Sequence, residues 1–233
     1  MNFFDRLQGV FFNPKDTFKA VAEKPVWLDA LIVILVTVTI FLAIISPYLQ
    51  KDQIQVLKNN VELQERLGEE SAQQSLKVLE SKGYRLILLV IVPSVFTIAI
   101  LFLQPLILLA MSRMVSTEGN YKQVLSVYLH ANLIDKILGS VVRLILILTR
   151  KSVMQTTTTL AIFFPRMEVT STGFIVLSQV DFFQLWMFGI LGYGLSYVFK
   201  INTKKALFIS YGFWFLKTLF NVGLGLLGSQ FGG

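Results

Sequence analysis

Between Arg85 and Arg113 the chain runs for twenty-seven residues, Leu86 to Ser112, without a charged side chain. A helix needs about 20 mostly apolar residues to cross a hydrocarbon core roughly 30 Å thick, so such a run suits lipid better than the core of a water-soluble domain. It has companions. Ala30 to Leu49 is uncharged behind Pro25, Trp27 and Asp29; Phe182 to Phe199 is uncharged up to Lys200; Ala206 to Leu227 carries only Lys217. Tyr121 to Leu148 is long enough to cross but holds His130, Asp135, Lys136 and Arg143, which are expensive at bilayer depth. A composition of 54% hydrophobic and 15% charged residues then has one reading, a polytopic membrane protein. The expected fold class is all-α. A single membrane domain, 1-233, holds a helix bundle with five transmembrane helices (30-49, 86-112, 121-148, 182-199, 206-227), an interfacial N-terminal helix and an extramembrane helical hairpin. Pro93 and Pro105 interrupt the second span, where a membrane helix tolerates them as kinks.

The segments between the spans are polar or amphipathic. In 1-26, Phe3, Phe4, Leu7, Val10 and Phe11 fall at helical spacing opposite Asp5, Arg6 and Gln8, the pattern of a helix lying flat in the membrane interface. Asn13 and Pro14 then start a second helix whose Phe18, Val21 and Ala22 are expected to face the membrane. This segment has no continuous apolar stretch of the signal-peptide kind and is expected to stay on the protein. Gln50 to Gly83 carries six acidic and five basic residues, among them Glu62 and Arg66, with Leu57, Val61, Leu76 and Leu79 at spacings of three and four. It reads as two short amphipathic helices broken near Gly68, either a partner-docking hairpin or a solvated extension of its flanking spans. The loop 150-181 begins near four threonines, Thr156 to Thr159, and its apolar Leu160 to Phe164 is too short to cross. With five spans, nine Lys and Arg fall on either face; the denser set, in the N-terminal tail, at Arg113 and Lys122, and in the turn Lys200 to Lys205, points to a cytoplasmic N-terminus and an outer C-terminus.

Composition excludes much chemistry. With no cysteine and one histidine, disulfides, thiolate nucleophiles, thiolate metal sites and a histidine relay have nothing to work with. No Gly-x-Ser-x-Gly elbow, Walker loop, His-Glu-x-x-His or intramembrane Gly-x-Gly-Asp occurs, and five unequal spans offer no inverted repeat. No catalytic residue, metal or cofactor is expected. The net charge of +7 flanks apolar runs, which points to orientation in a membrane and away from nucleic acid.

The candidate site is the polar face of the third span. At 100° per residue, with Asn132 at zero, Lys136 falls near 40°, Arg143 near 20° and Asp135 near −60°. One reading is a groove for an anionic group, with Lys136 and Arg143 donating and Asp135 as counter-charge. The other is a packing stripe against polar groups such as Gln104 and Asn221. Lys217 is expected to pair with Asp135 or Asp181, and His130, on the opposite side, to be a packing residue. Gly189, Gly192, Gly194, Gly212 and Gly223 supply close helix packing, with the glycine-rich tail as a dimer face. Phe3, Phe4, Leu7 and Phe11 are the interfacial anchors.

Three stretches resemble one known family. Phe12, Asn13, Pro14, Thr17 and Phe18, followed by Pro25, Val26, Trp27 and Ala30, look like its opening pattern, and Gly119, Asn120, Tyr121 and Lys122 look like its glycine-containing entry to the third span. Thr159, Leu160, Ala161 and Pro165, then Val180, Asp181, Phe182, Phe183, Leu185 and Trp186, through Gly192 and Gly194 to Lys204, Lys205 and Ala206, resemble its loop and Gly-rich fourth span. The family is the Yip family, the Ypt/Rab-interacting protein domain family, in its bacterial branch, and the resemblance covers nearly all but Gln50 to Gly83. It implies a five-span membrane protein without enzyme activity. Eukaryotic relatives bind small GTPases through a long cytoplasmic N-terminal region that this chain lacks, so that activity is not carried over. The expected function is a non-enzymatic scaffold, assembly or accessory factor in trafficking or export. Its partners are membrane lipid, other membrane proteins and a homo-oligomeric copy, in the bacterial cytoplasmic (inner) membrane. The alternative, from another class, is a carrier or channel for an anionic solute or lipid that uses Asn132, Lys136 and Arg143.

Overall fold

The computed structural model describes residues 1–61, 64–65, 68–154, 158–168 and 171–232; Glu62, Arg66, Thr156 and Thr157 lie outside them. Regular structure among the described residues is helical, apart from one isolated bridge between Thr159 and Asp181. Two short helices, α1 (Phe3–Phe12) and α2 (Pro14–Glu23), lead into the long α3 (Leu28–Asn59). α4 (Glu69–Glu80) and α5 (Lys82–Arg113) follow, α5 containing a π-helical turn at Ile87–Ile91. Next, α6 (Tyr121–Leu133) continues through a second π-helical segment, Ile134–Gly139, into α7 (Ser140–Arg150). A 3₁₀ turn at Leu160–Phe163 and the short α8 (Thr172–Leu177) precede α9 (Phe182–Phe199) and α10 (Thr203–Gly232). Among the described residues, α3, α5, α9 and α10 are the four helices long and apolar enough to cross a membrane. The path 121–150 does not meet that criterion because His130, Asn132, Asp135, Lys136 and Arg143 dilute its apolar run, yet every residue from Val124 to Asp135 is buried. It is the central strut of the bundle.

Two helix prolines, Pro47 and Pro93, find a local remedy. Pro47 in α3 cannot donate to the carbonyl four residues back, that of Ala43, and the Ser46 hydroxyl donates to it instead at 3.0 Å. Pro93 follows directly on the π turn of α5, where the wider helix relieves its clash with the preceding carbonyls. The entry to α6 is set by a capping box: Asn120 accepts from the Gln123 N–H at 3.1 Å and Gln123 accepts from the Asn120 N–H at 3.1 Å. Gly119 before it has φ +78°, and a Cβ there would lie 2.7 Å from Val198 and 3.0 Å from Phe199, so only glycine fits.

The N-terminal pair departs from expectation. Phe18, Val21 and Ala22 do not face a membrane; they are buried among α6 and α9, with Val10 of α1 beside them in the same core. The reason is competition between two apolar media: the groove between α6 and α9 offers close packing that fluid hydrocarbon cannot, and helical spacing alone does not tell them apart. Polar ties fix the docking. Arg6 hydrogen-bonds and pairs with Asp29 of α3, and Gln123 donates to the Ala22 carbonyl at 2.8 Å. Phe4 and Phe12 point outward, exposed, while Phe3, Leu7 and Phe11 are half-buried.

In the charged stretch 50-83, α3 continues as far as Asn59, and beyond Asn60 the described residues Val61, Gln64 and Glu65 are again helical. Gly68, with φ +78°, then leads into α4. α4 lies beside the end of α3, where Gln50 donates to the Leu79 carbonyl at 2.6 Å, Tyr84 to Gln53 at 2.9 Å, and Lys58 pairs with Glu80 at 3.2 Å. Asp52 is buried and caps the chain leaving α7, accepting from Ser152 Oγ at 2.8 Å and the Val153 N–H at 2.7 Å.

Candidate functional site

Asp135 and Lys136 sit inside the π segment, where the turn widens and the register of the helix shifts. The shift matters because the downstream half no longer follows the 100° count. The polar face expected as one surface therefore divides into two.

On the first side, Asp135 holds Lys136 at 2.8 Å with one carboxylate oxygen and Arg143 at 2.6 Å with the other. Arg143 continues to Asp181 at 2.9 Å, donates from Nε to Thr158 Oγ1 at 3.0 Å, and lies 5.9 Å over the Phe183 ring. Thr158 in turn donates to Asp181. Asp181 is the N-cap of α9, accepting from the Phe183 N–H at 2.8 Å and the Gln184 N–H at 3.1 Å. Backbone bonds hold this loop against the cap, Phe182 N–H to the Thr158 carbonyl at 3.1 Å and Leu160 N–H to the Val180 carbonyl at 3.0 Å. One guanidinium thus joins the π segment, the 150-181 loop and the start of α9, with Asp135 and Asp181 buried and Arg143 and Thr158 partly so. Nothing in the sequence marks Thr158 as a partner; Asp181 before an apolar run could have been read as a cap.

On the second side, Asn132 and Lys136 turn to a cavity of about 580 Å³ between α5, α6, α9 and α10. Its polar lining is Gln104, Tyr128, Asn132, Asp135, Lys136, Gln184, Lys217 and Asn221; the rest is apolar. Arg143 does not line it. Tyr128 donates to Gln104, and Asn132 donates to the Tyr128 carbonyl at 2.9 Å. Lys217 pairs with neither Asp135 nor Asp181: it donates to Gln184 Oε1 at 2.8 Å and lies 5.8 Å over the Phe188 ring. The aspartates are already taken up by Arg143 and Lys136, which leaves an amide as the nearest acceptor. His130 is buried, with Nδ1 2.8 Å from the Ser126 carbonyl.

The glycines differ among themselves. A Cβ at Gly194 would meet Phe18 at 2.8 Å and Val127 at 2.9 Å, at Gly192 the Leu207 backbone at 3.2 Å, and at Gly189 the Tyr211 hydroxyl at 2.9 Å. At Gly212 the nearest atom is Met111 Cε at 3.8 Å, and at Gly223 there is open space within 4 Å. Close approach is thus a feature of α9, where α2, α6 and α10 converge.

In comparison with known proteins, a family model described as the Yip1 domain matches residues 9–225. No curated protein and no solved structure matches.

Proposed function

The chain belongs to the Yip1 domain family, and from that membership we propose that it is a non-enzymatic scaffold, assembly or accessory factor that binds other membrane proteins in trafficking or export. The observation that carries this reading is the surface beyond the crossing part of α3. There Val56, Val61 and Val78 are exposed among Lys51, Lys58, Lys77, Glu69 and Glu70, on helices tied together by Gln50, Tyr84 and Lys58. Rigid backbone presenting apolar side chains within a charged rim has the make-up of a protein-binding surface. In this reading 121–150 is a fifth crossing, the N-terminus is cytoplasmic, the C-terminus is outside, and the membrane is the bacterial cytoplasmic one.

A photocrosslinker at Val78 in native membranes tests it. A discrete membrane-protein adduct that disappears in the variant Val56→Asp supports the reading; labelling of lipid alone, or an adduct indifferent to Val56, removes it. The carrier reading keeps one observation, the cavity lined by Asn132 and Lys136. Arg143 does not belong to it, because its contacts are with Asp135, Thr158, Asp181 and Phe183.

A further inference from the structure

The cavity beside Lys136 and Lys217 has a charge imbalance and a shape that together specify a ligand. Around it and the adjoining network stand three cations, Lys136, Arg143 and Lys217, and two carboxylates, Asp135 and Asp181. Arg143 satisfies both carboxylates and Lys136 shares Asp135, so the positive charge left over resides on the lysines that line the cavity, Lys217 above all. Lys217 is the single charge between Ala206 and the end of the chain. A cation at bilayer depth without a counter-charge is costly, and one amide oxygen replaces little of its hydration.

The shape adds the second half. Tyr121, Phe199 and Thr203 begin or end their helices at one face of the bundle, where Ser116 donates to the Phe199 carbonyl at 2.8 Å and Lys200 pairs with Glu118 at 3.2 Å. Counted from that face at about 1.5 Å per residue, Lys136, Gln184 and Lys217 all lie roughly 21 to 23 Å along their helices, at one level. The lining straddles that level, along α5 between Phe96 and Ile107 and along α10 between Phe213 and Leu224, each about 16 Å of helix. Phe96, Leu103, Phe220 and Leu224 on its rim are exposed on the apolar outside of the bundle. The slot therefore opens sideways between α5 and α10. Its volume of about 580 Å³ lies within the range of roughly 300 to 1,000 Å³ common for small-molecule sites.

We propose that this slot binds an anionic membrane amphiphile, its phosphate or carboxylate head against Lys217 and Lys136 and its hydrocarbon chain lying between α5 and α10. Gln184, Asn132 and Asn221 complete the polar end, supplying amide hydrogen bonds to the remaining head-group atoms. The ligand supplies the missing negative charge, and entry is lateral, from the membrane. The site is independent of the partner surface on α3 and α4, so either can fail without the other.

The test uses the full chain purified in a neutral detergent, with binding read by native mass spectrometry and thermal midpoint. The probes are dioleoyl phosphatidylglycerol, oleate, dioleoyl phosphatidylcholine and inorganic phosphate. Phosphatidylglycerol, oleate or both are expected to bind saturably at one per chain and to raise the midpoint, while phosphatidylcholine and inorganic phosphate do neither. The double variant Lys136→Gln, Lys217→Gln should weaken binding by about tenfold or more, the loss of charge-assisted bonds to the head. Thr97→Trp, which fills the slot and leaves the lysines in place, should weaken it comparably, and Lys15→Gln with Lys82→Gln, an equal change in net charge elsewhere, should leave it within about twofold. Should the lysine pair fail to fold, Thr97→Trp alone decides. Equal binding of phosphatidylcholine, equal stabilisation by inorganic phosphate, or undiminished binding in Thr97→Trp would each overturn the proposal.

Discussion

Arg143 reaches partners from three separate stretches of chain, Asp135, Thr158 and Asp181, and a lysine in its place has one point charge to share among them. Arg143→Gln takes from buried Asp181 its ion-pair partner and leaves Asp135 with Lys136 alone, a loss on the order of 3 to 5 kcal/mol for a broken buried pair. The thermal midpoint in detergent should fall by many degrees, with Arg143→Lys intermediate; a midpoint unchanged in Arg143→Gln would mean that the network contributes nothing to the fold. Asp181 has a second task as the cap of α9. Asparagine can still cap, alanine cannot, so Asp181→Ala should be less stable than Asp181→Asn by about 1 kcal/mol, measurable by chemical unfolding. Combined with Arg143→Gln, Asp181→Asn should add less than its single effect, since both remove the same contact. The polar residues of 121-148 were legible as a cluster because charge in an apolar run is conspicuous. Their division was not, because a π turn leaves no mark in the spacing of residues and moves Arg143 from the company of Asn132 to that of Thr158.

Among the elements, α2 shows what spacing can and cannot say. The helix and its start at Asn13 and Pro14 follow from local rules, since Pro14 stands at N1 and Thr17 folds back on the Asn13 carbonyl at 2.8 Å. The medium on its apolar face does not follow, because lipid and protein interior select the same side chains. The structure separates them by experiment: Phe18→Ala removes a fully buried ring, a change worth about 3 to 5 kcal/mol, and should release α1 and α2 to limited proteolysis, whereas Phe4→Ser, at an exposed position, should not. Equal protection in both variants would show that lipid and not the groove holds the segment. Gly194 is the other half of that joint. Gly194→Ala drives a methyl into Phe18 and Val127, so a destabilisation of about 1 to 3 kcal/mol is expected, against a negligible one for Gly223→Ala, where space is open.

At the scale of the molecule, the membrane class and the apolar runs were legible because no soluble fold can absorb twenty-seven uncharged residues in succession. The crossing number is harder to read, since 124–135 is buried by its neighbours and Asp135, with its partners Lys136 and Arg143, can hold charges there that a lipid-facing helix cannot. In the five-crossing arrangement Gln64 and Thr203 lie on opposite sides of the membrane. Single cysteines at these positions, in a chain that has none of its own, should react with an impermeant thiol reagent from opposite faces; labelling from one face requires an even number of crossings between them. The docking of α2 also bears on the order of events at the ribosome. A chain emerges from its N-terminus, so Phe18 and Val21 are made first, while α9, which closes over them, is complete only at Phe199. Until then the earliest helices have no finished seat, and a nascent chain halted after Arg150 would hold them only on α6 and on the Arg6–Asp29 tie to α3. The first residues synthesised are among the last to be enclosed, so completion of the bundle is recorded in the shielding of its beginning.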